Sequence, residues 1–141
     1  MNGADFFDTN VLVYAVDRDS PAKRAVAQSL VASALTRQTA VISFQVVQET
    51  LQALTRKSRV VASAEDAQDF LVKVLTPLWK VQPSTTIYAR ALRIQSGQGF
   101  SFYDSLIVAA ALDSGCKRLL TEDLQHGQRI DGLHVENPFL A

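Results

Sequence analysis

An alternation constrains this chain more than any other feature. Short β-branched or aromatic runs are separated, along the whole sequence, by longer stretches in which apolar residues recur at helical spacing. "DFFD" (5–8), "TAVIS" (39–43), "WKVQ" (79–82) and "KRLLTED" (117–123) read as strands, and "LHVEN" (133–137) as a last edge strand. "TNVLVYAVD" reads as one or two helical turns capped by Asp8 or Thr9. Ser20 before Pro21 opens a helix rich in Ala and Val, suited either to this domain's core or to a second subunit. "SFQVVQETLQALTRK" places Phe44, Val47, Leu51 and Leu54 on one helix face. "SAEDAQDFLVKVLTPL" begins with acids and is ended by Pro77. Two more helices follow, one closed by Gly97 and one by Gly115. Strands joined through helices form a parallel sheet covered on both faces. One α/β domain over residues 1–141 is the expectation, with its binding crevice outside the carboxyl ends of the strands.

That rule makes the acids at strand ends informative. Asp8 follows the first strand and Asp123 the fourth. Glu49 lies one to two turns into the helix after the second strand, and Asp104 in the first turn of the helix leading to the fourth. All four can share one edge of the sheet, although only folding brings them together. Carboxylates a few ångströms apart repel unless one holds a proton or a cation intervenes. Mg²⁺ and Mn²⁺ are hard, oxygen-liking ions that relieve the repulsion, polarise a phosphoryl oxygen and activate water. Each acid also has a plainer use: Asp8 as a helix cap, Asp104 as the partner of Ser101 in a capping box, Glu49 as an exposed helix residue, Asp123 as a turn residue. Spacing alone does not choose between the two uses.

The bulk properties fit a soluble cytoplasmic protein. Charged residues make up 20% and hydrophobic residues 48%, enough to bury a core. Fourteen basic and fourteen acidic residues cancel, so nucleic acid is not held by bulk charge alone. Four acids gathered in one site would leave the remaining surface weakly basic, as suits a polyanion approached through metal ions. Cys116 is the only cysteine, which excludes a disulfide within the chain and points to a reducing cytoplasm. No apolar run approaches the ~18 residues of a membrane span, and no secretory signal is legible.

"FFDTNVLVYAVD", "ISFQVVQETL", "FSFYDSLIVAAAL" and "LLTEDLQHG", in that order, resemble the PIN-domain nucleases. They look most like the VapC-like ribonucleases, the toxin half of bacterial type II toxin–antitoxin pairs. The resemblance spans nearly the whole chain, and "YDSLIVAAAL" followed by a strand ending in "TED" is its most specific part. It implies a three-layer α/β/α sandwich around a central, mainly parallel four- or five-stranded sheet. It carries the family's metal-binding and catalytic acids onto Asp8, Glu49, Asp104 and Asp123, with Asn10 orienting Asp8. It further implies Mg²⁺ or Mn²⁺, hydrolysis of single-stranded RNA, a homodimer, and a cognate antitoxin that inserts a helix or tail into the crevice.

Other residues invite less. The Arg56, Lys57 and Arg59 run either steers RNA or simply complements a helix terminus. His126 has no second His or Cys beside it, and His134 and Cys116 suggest packing or turns. Trp79, Phe44 and Phe70 suit a core, Tyr103 either the crevice or packing, and strand alternation turns Glu122 away from Asp123. A haloacid-dehalogenase-like phosphatase needs an acid where Asn10 stands, and a receiver domain needs a lysine at a strand end, whereas Lys117 precedes its strand. A PIN-fold module that binds RNA or protein without cutting it is the remaining alternative.

Overall fold

The computed structural model describes residues 4–56 and 63–140. Its elements run β1 (Asp5–Phe7), α1 (Thr9–Tyr14), α2 (Pro21–Arg37), β2 (Ala40–Ser43), α3 (Phe44–Thr55), α4 (Ala64–Phe70), a π-helical segment (Leu71–Leu75), α5 (Thr76–Leu78), β3 (Trp79–Val81), α6 (Thr85–Gln98), α7 (Phe102–Asp113), β4 (Arg118–Leu120), β5 (Arg129–Ile130) and β6 (Leu133–Glu136). The six strands form one sheet in the order β3-β2-β1-β4-β6-β5. All neighbours are parallel except β5, which pairs antiparallel with β6. β1 lies centrally, with Phe6 aligned on Val41 of β2 and Leu119 of β4.

The strands are short and buried because helices cover the sheet. Phe6, Ile42 and Leu119 have no exposed surface, and Ala109 and Val108 of α7 are equally enclosed. A run of small and branched residues from Ser105 to Ala111 lets α7 pack all round. Ala27, Val31 and Ala34 of α2 also enter this domain's own core. Serines open four of the helices, from residues 43, 63, 84 and 101, each accepting a hydrogen bond from the backbone N–H three residues on.

Three expectations need correction. Pro77 does not end its helix; α5 continues to Leu78, and the turn before Pro77 widens into the π-helical segment. Proline has no N–H for the Lys73 carbonyl, which favours such a departure from the regular ladder. Gly97 lies inside α6, and Gly99, in the left-handed conformation at φ 75°, closes it. The sheet has six strands, and β6 is internal, because β5 covers it through a tight turn at Asp131 and Gly132, φ 49° and 87°. At the start of β1, Arg118 grips the Asp5 carboxylate with two hydrogen bonds of 2.9 and 2.6 Å.

Candidate active site

Asp8 both caps and joins the acid group. It is 5% exposed, directly after the buried Phe6 and Phe7. Its backbone N–H bonds to the Leu120 carbonyl, tying the end of β1 to the end of β4. Its Oδ1 accepts from the Thr9 N–H at 2.7 Å, and its Oδ2 accepts from the Thr121 hydroxyl at 2.8 Å. Burial raises its pKa to about 7, and the nearby charges of Asp123 and Glu49 add to the rise against the two hydrogen bonds.

Glu49 reaches the same place from α3. One face of this helix, with Phe44, Val46, Val47, Thr50 and Leu54, is buried. Gln45, Gln48, Glu49, Gln52, Ala53 and Arg56 recur on another and line a crevice of about 830 Å³. Thr9, Asn10, Tyr14, Tyr103 and Asp123 line it as well. Glu49 Oε1 accepts from the Thr9 hydroxyl at 2.7 Å and Oε2 from the Gln45 amide at 3.2 Å.

Asp123 closes the group just past β4. Its N–H donates to the Thr121 hydroxyl at 3.0 Å, and its Oδ2 accepts from the Asn10 amide at 3.2 Å. Its pKa is raised by partial burial, then by the charges of Asp104 and Glu122, with Glu49 contributing less. Asp104 stands in the first turn of α7, its N–H bonded to the Ser101 hydroxyl at 3.1 Å. The four acids thus form one electrostatic group at the carboxyl edge of β1 and β4. Among the described residues, however, no three Asp, Glu, His or Cys side chains are arranged to hold one metal ion. The oxygens of Asp8, Glu49 and Asp123 are instead turned toward Thr9, Thr121, Gln45 and Asn10.

The set still fits a hard cation. Every donor is an oxygen, the described hydrogen-bond partners are neutral, and the elevated pKa values of Asp8 and Asp123 record charge that lacks compensation. Asn10 orients Asp123, not Asp8 as expected from the sequence. Thr121 and Gln45 had no predicted role, and Thr9, offered with Asp8 as a cap, instead donates its hydroxyl to Glu49. Thr121 sits two residues before Asp123, the spacing of a local Thr-to-backbone turn, and that was its only signal. Glu122 does turn away: it accepts from Lys23 at 3.0 Å and from the Tyr14 hydroxyl at 2.5 Å. His126 Nδ1 accepts from the Asn137 N–H at 3.0 Å and serves the loop. Arg56 faces the crevice, while Lys57 and Arg59 lie outside the described residues.

A central, mainly parallel sheet flanked by helices, with acids at its carboxyl edge, defines a three-layer α/β/α domain of nuclease type. The chain belongs to the PIN domain family, whose sequence pattern matches residues 6–131. Within it, the chain is 33% identical to Ribonuclease VapC23 of Mycobacterium tuberculosis over 118 residues, 84% of this chain and 91% of that protein. The same fold occurs in a toxin–antitoxin complex from Klebsiella pneumoniae, with a TM-score of 0.67 at 18% identity over 96% of this chain and 98% of that one. It also occurs in VapBC2 from Rickettsia felis bound to a promoter DNA fragment, with a TM-score of 0.62 at 20% identity over 95% and 98%. Among the described residues no helix is long and apolar enough to cross a membrane.

Proposed function

We propose that this chain is a divalent-metal-dependent endoribonuclease, the toxin of a cytoplasmic toxin–antitoxin pair, with the whole activity in one domain. The observation that carries the proposal is the electrostatic grouping of Asp8, Glu49, Asp104 and Asp123 near the carboxyl edge of β1 and β4, with Glu49 and Asp123 lining the crevice and burial, more than the neighbouring acids, raising the pKa of Asp8 to about 7. The similarity to Ribonuclease VapC23 supports RNA as the substrate class.

Asp8, Glu49, Asp104 and Asp123 would hold Mg²⁺ or Mn²⁺. Such an ion, when bound, would polarise a phosphoryl oxygen and make its bound water more acidic. Asp8 supplies buried negative charge at the end of β1, and Asp123 supplies exposed negative charge just past β4. Glu49, projecting from α3 into the crevice, orients the attacking water. Arg56, about ten ångströms from Glu49 along α3 by helical rise, either meets the substrate's phosphates or complements the helix terminus. A cognate antitoxin inhibits by entering the same crevice, where a basic side chain would compensate the acids as the cation does. Tyr88 and Leu92 of α6, 40% and 57% exposed, offer a face for the second copy of a homodimer.

The test is cleavage of single-stranded and structured RNAs in Mg²⁺ or Mn²⁺, against chelator and against Asp8→Asn and Asp104→Asn. Cleavage that needs the ion and both carboxylates is expected. Tight RNA binding without cleavage under any divalent ion would establish the non-cutting module instead.

A further inference from the structure

Gln45 has an uneven set of partners. Its Nε2 donates twice, to Glu49 Oε2 at 3.2 Å and to the Tyr103 carbonyl at 3.1 Å. Its Oε1 is buried and has no donor among the described residues. The side chain is 3% exposed. Turning the amide over would set its oxygen against two acceptors, so the two bonds fix its orientation. A buried carbonyl without a donor destabilises a fold, whereas an apolar side chain of similar volume would not carry that penalty. Asn10 repeats the pattern across the crevice: its Nδ2 donates to Asp123 Oδ2, and its Oδ1 is buried without a partner. Two amides each direct N–H groups at a site carboxylate and leave their own oxygen unsatisfied.

We propose that Gln45 is a positioning residue, which ties the Glu49 carboxylate of α3 to the Tyr103 carbonyl at the start of α7 and so sets the spacing between Glu49 and Asp104. The bond to Tyr103 lands one residue before Asp104, on the turn that Ser101 caps. Glu49 and Asp104 stand on different helices, and the Gln45 amide forms a hydrogen-bonded link from one helix to the other. Glutamine holds this place despite its unsatisfied oxygen because its amide has two N–H groups and enough reach to satisfy both acceptors. This inference rests on the reading of the four acids as the cation-holding set.

The experiment replaces Gln45 with methionine, which keeps the volume and removes both donors, with Gln45→Leu as a second variant. Three quantities are read: Tm of the metal-free protein, Mn²⁺ affinity by calorimetry, and kcat and KM for RNA. The expected result is a Tm equal to or above that of the unsubstituted protein, Mn²⁺ affinity weakened about tenfold, kcat lowered about tenfold or more and KM for RNA little changed. A lowered Tm with unchanged Mn²⁺ affinity would make Gln45 a packing residue and overturn the inference, as would no change in any quantity. Absence of metal-dependent cleavage in the unsubstituted protein would sink the nuclease reading separately, since the affinity measurement still decides the role of Gln45.

Discussion

Asp5 and Asp8 lie at opposite ends of the same three-residue strand, and the fold treats them in opposite ways. Asp5 receives two hydrogen bonds from Arg118, which also bonds Glu136 at 3.0 Å. Asp8 is deeper, receives only neutral donors, and faces Asp123 and Glu49. The same contrast separates the adjacent Glu122 and Asp123: the first pairs with Lys23 at 3.0 Å, the second is held by Asn10 amid other acids. Asp5 and Glu122 thus have basic partners, whereas the described partners of Asp8 and Asp123 are neutral, although Asp8 is buried and Asp123 exposed. Acids left without a counter-charge are candidates for holding a cation.

The largest effect should come from Asp8→Asn. Cleavage should fall about a hundredfold or more, because the variant removes charge from the deepest point of the site. The metal-free protein should nevertheless become more stable near pH 7. Asparagine keeps the acceptor for the Thr9 N–H, the Thr121 hydroxyl turns to accept, and the buried charge is gone. A variant less stable than the parent at that pH would break the distinction drawn between the two ends of β1.

Titration of the metal-free protein sharpens the same point. The pKa of Asp8 rises from 3.8 to about 7 on folding, so the folded state keeps a proton that the unfolded chain has released. This group therefore favours the fold fully at acid pH and loses that advantage as pH rises from about 4 to 7, by an amount on the order of a few kcal/mol. Melting in chelator across that range, compared with Asp8→Asn, isolates the effect: the difference should grow with pH and be abolished by saturating Mn²⁺. Arg118→Met is the converse and should be smaller. It leaves Asp5 and Glu136 without their cation, but all three groups are partly exposed, so about 1 kcal/mol of stability is lost and RNA cleavage is unaffected.

How much of this was visible in the sequence follows from the range of the interactions. The α/β alternation, the Ser101 cap and the four acids are local or periodic signals, and the resemblance of "YDSLIVAAAL" and "TED" placed the family. β5 was missed although "IDGL" carries an Asp-Gly pair between apolar residues, a strong hairpin signal, because its two strand residues are too few to show alternation. Gly97 attracted the helix end because glycine is favoured there, but Gly99 provides the left-handed residue. The polar shell was illegible for another reason: Gln45 reaches Tyr103 across 58 residues, and Asn10 reaches Asp123 across 113. Helical periodicity placed Gln45 beside Glu49 but gave no sign that its amide would cross to α7.

Arg56→Ala should have the smallest effect, and it tests whether the contrast between paired and unpaired charge extends along the crevice. Arg56 is exposed, lines the crevice eleven residues from Gln45, and follows the C-terminus of α3. If it only complements the helix terminus, its loss costs a few tenths of a kcal/mol of stability and leaves RNA affinity alone. If it meets a phosphate, KM for RNA should rise several-fold, the dependence of log affinity on log salt should flatten by about one unit, and kcat should hold. Mn²⁺ affinity should be unchanged in either case, because the side chain makes no hydrogen bond to the four acids among the described residues. A flattened salt dependence with intact kcat would therefore assign the two ends of α3 different tasks, cation binding near Glu49 and substrate capture at Arg56.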